Sequence, residues 1–484
     1  MTTLSDHLDD LREHGDLLEI GDRVHWDTEA AVVATEALRH NCAALRFDET
    51  AGRVAYASGV YAGPDQISGR ENRPWRRIAA GLGLGHDVGC VDLLDVLSRW
   101  ETTPLSEAVL LDPAADRDAG DDLYALGLPG VDDAGRQGVT QGVIAVERDG
   151  TTTWAPVRGT VHRGSTLRVV VPGAVDEWFE GGRAASVSLG VEAATLVAAL
   201  QGWTQDRTVP AVPERAAGLA DVPLARVDGR VVPASAEVRI DGVADPTDAP
   251  VSGPEATWER ATETATLSFE AEGIRLREDP TVPFVPLGAP LADDVHLMSL
   301  VEAATLYRRV NGYWGVSPVS WVQLPVESRL GLCLVSSEIL YAGFDWQLAN
   351  ALFSFSDYFD KVLVLDEYAR PTDLARALDD MWVKAHPGND WVFSDPNAPA
   401  ATAPVYRRDG ETGSRLYISA IWDPRWDEDY IAPRVTFESS FPEGIRESAL
   451  ERWEALTASR AGDDGIEDLP PRYDDDAASR GDGA

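Results

Sequence analysis

Residues 149–162 read DGTTTWAPVRGTVH. The segment opens on Asp149-Gly150, a pair typical of a tight hairpin turn, and continues into β-branched and aromatic residues that favour a strand. Short strand-like runs lie on both sides, separated by turn pairs such as Pro172-Gly173 and Asp228-Gly229. The runs cover residues 142–147, 152–161, 167–171, 185–189, 224–227 and 236–240, with a helix over 191–200. This pattern predicts a mainly antiparallel sheet or split barrel in the middle of the chain.

Helical patterns alternate with strands on both sides of this central part. Before it, the spacing predicts helices over residues 4–17, 28–39 and 75–84 and a strand over 53–60. After it, four buried-type strands alternate with helices, which predicts a second sheet covered by helices. The later strands cover 319–324, 330–335, 361–365 and 416–421, and the helices cover 297–309, 338–353, 371–384 and 446–455.

The predicted fold class is therefore α/β (α+β) in three parts. We expect an N-terminal α/β segment over residues 1–125, a central split β-barrel over 126–295 and a C-terminal α/β domain over 296–460. Residues 461–484 are rich in Asp and Gly and have no apolar periodicity, which predicts a disordered acidic tail.

The charge balance excludes some functions. The chain has 484 residues, with 42 basic and 81 acidic side chains and a net charge of -39. Such a surface repels phosphate backbones, so we expect no nucleic-acid partner.

Lys361 and Lys384 are the two lysines among the 42 basic residues. A lysine-poor, carboxylate-rich surface suits a cytoplasm of molar salt, which predicts a halophilic protein. A mildly acidic protein from a high-GC genome is the alternative, but it does not explain the size of the charge.

The remaining residue types indicate a cytoplasmic protein. Cys42, Cys90 and Cys333 are far apart, which favours reduced thiols over a disulfide framework. The N-terminus lacks a basic region followed by an apolar run, and no segment approaches a membrane span.

The sequence also contains no P-loop, dinucleotide-binding glycine motif or nucleophile elbow. Since the eight histidines are scattered singly, we expect no histidine-rich metal site.

Several segments, taken in order, resemble the UbiD family of decarboxylases. Residues 149–162 are similar to that family's D-G-x-x-N-W-S-x-x-R-x-x-x-H pattern, and VPASAEVRIDG at 232–242 is similar to its V-P-A-x-A-E-I-V-x-E-G pattern. The resemblance extends over about residues 4–455, through further segments at 4–20, 74–84, 185–194, 277–280, 361–367 and 386–390.

The resemblance implies a reaction and its cofactors. Members of this family decarboxylate aromatic or α,β-unsaturated carboxylic acids with a prenylated FMN, which a flavin prenyltransferase supplies. The flavin is held in the barrel domain with a divalent metal, Mn or Mg, and potassium. Loss of CO2 requires an electron sink that protein side chains lack, together with a nearby proton donor. The C-terminal domain mediates assembly in this family, so the resemblance implies a homo-oligomer.

The family's motifs assign roles to particular residues. Arg158 aligns with the catalytic arginine and could grip a carboxylate or phosphate with two N–H groups, although a strand arginine in an ion pair is the alternative. Thr153 aligns with a metal-binding asparagine. Trp154, Arg158 and His162 belong to the same cofactor-binding motif. Glu214 aligns with an acidic metal ligand, but Ala174 stands where the family has its metal-binding histidine.

The family's two catalytic glutamates are missing at their expected positions. The E-G-P-F-G-E motif aligns with residues 252–257, so that Ser252 and Thr257 replace the glutamates. Glu255 or Glu259 could supply the carboxylates and the proton donor instead, although solvated loop acids are the alternative. Two functions therefore follow: a divergent decarboxylase, or a catalytically impaired paralogue that serves as a binding or scaffold subunit.

Overall fold

Six antiparallel strands form a closed barrel at the centre of the molecule. Their order is β11-β8-β5-β6-β7-β12, and β11 pairs with β12 to close the ring. The strands are β5 (Gly138–Arg148), β6 (Thr151–Arg163), β7 (Thr166–Pro172), β8 (Arg183–Leu189), β11 (Val238–Pro246) and β12 (Thr264–Leu276). The hairpin predicted at Asp149-Gly150 joins β5 to β6, and both turn residues have the positive φ, 54° and 80°, that such a turn requires.

The computed structural model describes most of the chain. Described are residues 2–25, 29–40, 43–50, 52–63, 73–100, 110–130, 134–203, 211–260, 262–288, 291–371, 374–393, 398–399, 412–422 and 441–458. The predicted acidic tail and Cys42 lie outside these ranges. Cys90 and Cys333 are buried and free. None of the helices in the described ranges is both long and apolar enough to cross a membrane.

The N-terminal part is a small α/β unit, as the sequence predicts. Its four-stranded sheet has the order β1-β2-β3-β13, so that β13 (Thr281–Pro283), which follows the barrel in sequence, completes it. The other elements are α1 (Leu4–Glu13), β1 (Leu17–Ile20), α2 (Glu29–Arg39), β2 (Ala44–Phe47), β3 (Ala55–Ser58), α3 (Arg76–Gly81), α4 (Cys90–Ser98) and β4 (Arg117–Asp118). Thr3 caps α1 through a reciprocal contact with Asp6.

Helices and a second sheet complete the molecule. Between β8 and β11 lie α5 (Ala193–Trp203), α6 (Val212–Ala220), β9 (Leu224–Val227) and β10 (Arg230–Pro233). The C-terminal sheet has the order β14-β15-β16-β20-β17, and β15, β16 and β20 are parallel. Its elements are α7 (Asp293–Tyr313), β14 (Val319–Gln323), β15 (Leu332–Ser337), α8 (Phe344–Phe355), β16 (Lys361–Asp366), α9 (Leu374–Lys384), β17 (Trp391–Phe393), β18 (Ala398–Pro399), β19 (Thr412–Gly413), β20 (Leu416–Ala420) and α10 (Glu443–Ala458).

Two hydrophobic cores position the central strand β6. One core fills the barrel and includes Ala155 and Val157 of β6. The other lies outside the barrel, includes Trp154, and joins β6 to α5, α7 and the C-terminal sheet. Because side chains alternate along a strand, even-numbered residues of β6 face the outer core and odd-numbered residues face the barrel interior. Arg158 is therefore directed towards the helices.

Candidate active site

Arg158 forms a buried ion pair with Glu259. The Arg158 Nη2 donates to Glu259 Oε2 at 2.9 Å, and its Nε donates to Glu259 Oε1 in a second, parallel bond. Both side chains are about 95 % buried, with exposed fractions of 5 % and 6 %. Such a two-bond pair is strong and directional. Glu259 comes from a single 3-10 turn, Thr257–Arg260, between β11 and β12.

Glu259 also binds its own turn. The backbone N–H of Ala256 donates to Glu259 Oε1 at 2.8 Å, so the carboxylate accepts hydrogen bonds from both the turn and the guanidinium. Arg158 Nη1 in addition donates to the carbonyl oxygen of Ser252 at 3.0 Å. In this arrangement Glu259 orients the guanidinium and acts as an acceptor. Among the described residues, three of the five N–H groups of Arg158 find acceptors, which leaves two for a ligand.

Glu255 lies apart from this pair. Its side chain is 64 % exposed, and its carboxylate is 3.9 Å from Nε of Arg260. Of the two glutamates that the sequence offers, the structure brings Glu259 to Arg158 and leaves Glu255 at the surface.

A second carboxylic acid, Asp294, lies next to the same turn. The backbone N–H and the hydroxyl of Thr257 donate to Asp294 Oδ2 at 2.8 and 2.6 Å. The other oxygen, Oδ1, is buried and has no hydrogen-bond partner among the described residues. Burial raises the pKa of Asp294, and the bonds from Thr257 offset only part of this effect. Asp294 is therefore a buried acid that holds its proton to a higher pH than an exposed aspartic acid does.

Sequence reasoning missed Asp294. Acidic residues in the first turn of a helix are usually explained by the helix dipole, and Asp293-Asp294 opens α7 in just this way. The one signal in the sequence that could have pointed to Asp294 is the pair of acids at the start of a helix with many apolar residues. That pattern does not reveal that the first turn is buried.

An apolar cleft lies beside the turn that carries Glu259. It encloses about 390 Å³ of empty space, part of it open to solvent, between β5, β6, α5 and α7. Asp294 forms part of its wall, and so do Ala256 and Trp258, the neighbours of Glu259 in the turn. The other lining residues are Thr140, Gln141, Gly142, Pro156, Val157, Leu196, Leu200, Leu297 and Met298. A mostly apolar cleft with a few convergent polar groups is typical of a ligand site.

The structure leaves three other predicted cofactor or metal residues away from this cleft. Trp154 is fully buried in the outer core, where its indole Nε1 donates to the carbonyl oxygen of Val231 at 2.9 Å. His162 is exposed at the end of β6, with its Nε2 3.1 Å from Nη2 of Arg168. Thr153 is fully buried and, by alternation, faces the barrel interior. None of the three lines the cleft.

The predicted metal ligands lie on two elements that contact each other, α6 and β6. Glu214 lies on α6, which contributes Val212 and Ala216 to the outer core, whereas Thr153 faces the inner core. Oε2 of Glu214 is buried without a hydrogen-bond partner in the described ranges, as an incomplete metal site would leave it. The described ranges contain one group of three His, Cys, Asp or Glu side chains close enough to hold an ion, and it does not include Glu214. The residues that the structure describes thus do not fit the implied divalent metal, which prefers several charged ligands at one point.

Two protein-family models match this chain, one on each side of the barrel. The family model for the N-terminal domain of 3-octaprenyl-4-hydroxybenzoate carboxy-lyase matches residues 8–97, and the model for its C-terminal domain matches residues 295–420. Curated protein sequences give no significant match. The matched domains flank the barrel that carries Arg158.

Solved structures of UbiD-class enzymes match nearly the whole chain. Vanillic acid decarboxylase from Sedimentibacter hydroxybenzoicus in open form is 19 % identical with a TM-score of 0.74, covering 95 % of this chain and 99 % of that one. HmfF from Pelotomaculum thermopropionicum, in complex with FMN, is 19 % identical with a TM-score of 0.75, covering 91 % and 99 %. The 3,4-dihydroxybenzoic acid decarboxylase from Enterobacter cloacae is 15 % identical with a TM-score of 0.73, covering 93 % and 99 %. The chain thus carries the N- and C-terminal domains of the UbiD carboxy-lyases on either side of the central barrel.

Proposed function

We propose that this protein is a decarboxylase of an aromatic or α,β-unsaturated carboxylic acid that uses a prenylated flavin. The buried Arg158–Glu259 pair beside an apolar cleft is the observation that carries the proposal. The family resemblance points to the same reaction. An evolved dimeric form of HmfF, which shares this fold, has been solved in complex with prFMN.

The cleft and the arginine have separate tasks in this proposal. The apolar walls, which include Leu196, Leu297 and Met298, would hold the flat rings of flavin and substrate by excluding water. The prenylated flavin, when bound, supplies the electron sink for decarboxylation. The two free N–H groups of Arg158 would orient the substrate carboxylate, while Glu259 keeps the guanidinium in place.

Asp294 would act as the proton donor. When the substrate loses its carboxylate as CO2, the carbon that held it must receive a proton. Asp294 is buried, has a pKa raised by that burial and lies on the cleft wall, whereas Glu259 accepts hydrogen bonds in its present position. Water would then return a proton to Asp294. In this assignment Glu259 and Asp294 together replace the two glutamates missing at Ser252 and Thr257.

The alternative is a paralogue that binds a flavin or a partner without catalysis. Ala174 in place of the family's histidine favours it, because this residue cannot bind a metal and a divalent ion prefers several ligands at one point. The experiment described next distinguishes the decarboxylase from the non-catalytic paralogue.

The test is to produce the protein together with a flavin prenyltransferase. We expect the purified protein to carry a flavin with the absorbance and mass of the prenylated form and to release CO2 from a panel of aromatic and unsaturated acids. Arg158→Lys should abolish CO2 release while the protein stays folded, because a lysine cannot make two parallel bonds. Arg226→Lys, at an exposed arginine on β9, is the matched control and should keep full activity.

Asp294→Asn should bind the flavin normally but lose most of its turnover, by about 100-fold or more, as expected when a general acid is removed. A protein that carries prenylated flavin but releases no CO2 from any acid would favour the paralogue. Failure to bind any flavin would contradict both the cleft assignment and the proposed activity.

A further inference from the structure

Asp10, His14 and His86 form a cluster that the proposed reaction does not use. Each offers one ligand atom, and these atoms all lie within 4.8 Å of one another. Oδ2 of Asp10 is 2.7 Å from Nε2 of His86, and its Oδ1 is 3.2 Å from Nδ1 of His14. The two imidazole rings face each other with their centres 4.0 Å apart.

The local sequence explains how this cluster forms. Asp10 and His14 are four residues apart at the end of α1, so their side chains project from one face of the helix. His86 is brought over that face by the glycine-rich turn after α3, where Gly83 and Gly85 have positive φ values of 74° and 83°. The glycine stretch at residues 81–85 thus both ends α3 and positions His86.

The surroundings of the cluster favour a cation. His14 caps the C-terminal end of α1, where the helix dipole presents partial negative charge. Nδ1 of His14 lies 2.9 Å from the carbonyl oxygen of Asp10, a backbone contact that fixes the ring's orientation. Arg12, on the same turn, is already bound to Asp9 and Glu19 and is not directed at the cluster.

We infer that Asp10, His14 and His86 bind a divalent transition-metal ion at the contact between α1 and the turn after α3. Two imidazole nitrogens and one carboxylate oxygen suit Zn²⁺, Co²⁺ or Ni²⁺, whereas Mg²⁺ and Ca²⁺ prefer oxygen ligands. In a tetrahedral zinc site with bonds of about 2.1 Å, neighbouring ligand atoms are about 3.4 Å apart, so small side-chain rotations suffice here. His14 and Asp10 are partly exposed, with 51 % and 36 % of their side chains accessible, which lets the ion enter and leaves room for water as a fourth ligand.

The inference is independent of the proposed decarboxylation, since the cluster lies among the N-terminal elements and not on the cleft. It also differs from the expectation, based on the scattered histidines, of no histidine-rich metal site. His14 and His86 are 72 positions apart in the sequence and meet only because α1 packs beside α3.

Titration of the full-length protein with zinc chloride, followed by calorimetry, tests the site. We expect one equivalent of zinc per chain, and we expect cobalt at the same site to give the visible absorption of a four-coordinate ion. His14→Ala and His86→Ala should each weaken zinc binding by more than 100-fold, because outer-shell changes alone cost about 10- to 100-fold. His14 is half exposed, so its removal should leave the fold, checked by circular dichroism, intact.

The matched control is His40→Ala. His40 is also an exposed histidine, and its Nε2 lies 3.7 Å from a carboxylate oxygen of Glu36 four residues earlier, but it belongs to no three-ligand cluster in the described ranges. This variant should bind zinc like the original protein. Equal zinc binding in the original protein and His86→Ala, or no stoichiometric binding in the original protein, would overturn the inference. The cluster would then be a hydrogen-bonded contact only.

Discussion

At the scale of single residues, a buried arginine needs a buried anion, and here Glu259 provides it. The family's glutamate position is occupied by Thr257, two residues earlier in the same 3-10 turn. Because the turn is tight, a carboxylate two positions further along points in a different direction. The backbone N–H of Ala256 donates to it and fixes that orientation. Thr257 meanwhile bonds to Asp294. The turn therefore connects both acids with Arg158.

The Arg158–Glu259 pair should contribute to stability as well as to activity. Glu259→Gln leaves the guanidinium buried without a negative partner, and breaking a buried pair in this way costs about 3–5 kcal/mol of the free energy of unfolding. Urea denaturation of the purified variant measures this loss. The exposed Glu255 is the control, and Glu255→Gln should change stability by less than about 0.5 kcal/mol. Equal effects of the two substitutions would mean that the pair does not hold the turn.

Asp294 should make stability depend on pH in a definite direction. Burial raises its pKa in the folded protein. Its stabilising contribution is therefore fully present below the unfolded pKa of about 3.9 and is lost as the pH rises through the folded value. Asp294→Asn cannot ionise and avoids this loss. The stability of this variant relative to the original protein, measured as the urea midpoint at several pH values, should therefore increase as the pH rises. Parallel curves for the two proteins would contradict a raised pKa at this site.

At the scale of elements, α7 joins the three parts of the molecule. Its first residue, Asp293, accepts hydrogen bonds from the backbone N–H groups of Gly59, Tyr61 and Ala62 at 2.8, 2.6 and 2.8 Å. These donors belong to the loop after β3 in the N-terminal unit. The next residue, Asp294, forms part of the cleft wall, and the helix then runs beneath the C-terminal sheet. One helix thus fixes the position of the cleft relative to both flanking domains.

Neighbouring aspartates at the start of α7 should respond differently to the same substitution. Asp293→Asn replaces one acceptor oxygen by an NH2 group. This NH2 group then faces at least one buried backbone N–H, which loses its acceptor. An unsatisfied buried donor costs about 1–3 kcal/mol. We expect Asp293→Asn to lower the free energy of unfolding at neutral pH by that amount. Asp294→Asn changes an oxygen that has no partner among the described residues and should lower it far less. The ratio of the two losses in urea denaturation checks the assignment of Asp293 as the joining contact.

At the scale of the whole molecule, the net charge of -39 controls how stability responds to salt. Like charges on a compact surface repel one another, and dissolved salt screens the repulsion. The screening length falls from about 30 Å at 0.01 M salt to about 3 Å at 1 M. We expect the urea midpoint to rise steeply between these two potassium chloride concentrations, and the protein to unfold or lose its cooperative transition at the lower one. A midpoint that does not change with salt would contradict the halophilic interpretation.

Local sequence patterns account for much of the architecture. The Asp149-Gly150 hairpin, the alternation along β6 and the helix–strand alternation of the C-terminal domain predict elements that the structure contains, because these signals depend on residues close in sequence. The strand β12 is absent from the predicted strands although Leu267, Phe269 and Ala271 alternate. Where β12 pairs with β11, a bulge at Asp241/Gly242 leaves Glu272 without a partner residue on β11. This extra residue interrupts the alternation of apolar and polar residues along β12.

The amino-acid sequence alone is sufficient to predict that residues 149–161 form a turn and a strand and that Arg158 lies on that strand. Together with the family resemblance, it offers Glu255 and Glu259 as the acids that could lie beside Arg158. Which acid this is depends on the packing of the folded chain. Glu255 and Glu259 are four positions apart with the same chemistry, and the choice between them depends on how one 3-10 turn packs against β6. Asp294 comes from a helix that begins more than 30 residues later. Its role depends on burial, which arises when α5, α7 and the barrel close around the cleft, and no local pattern records which surfaces will meet.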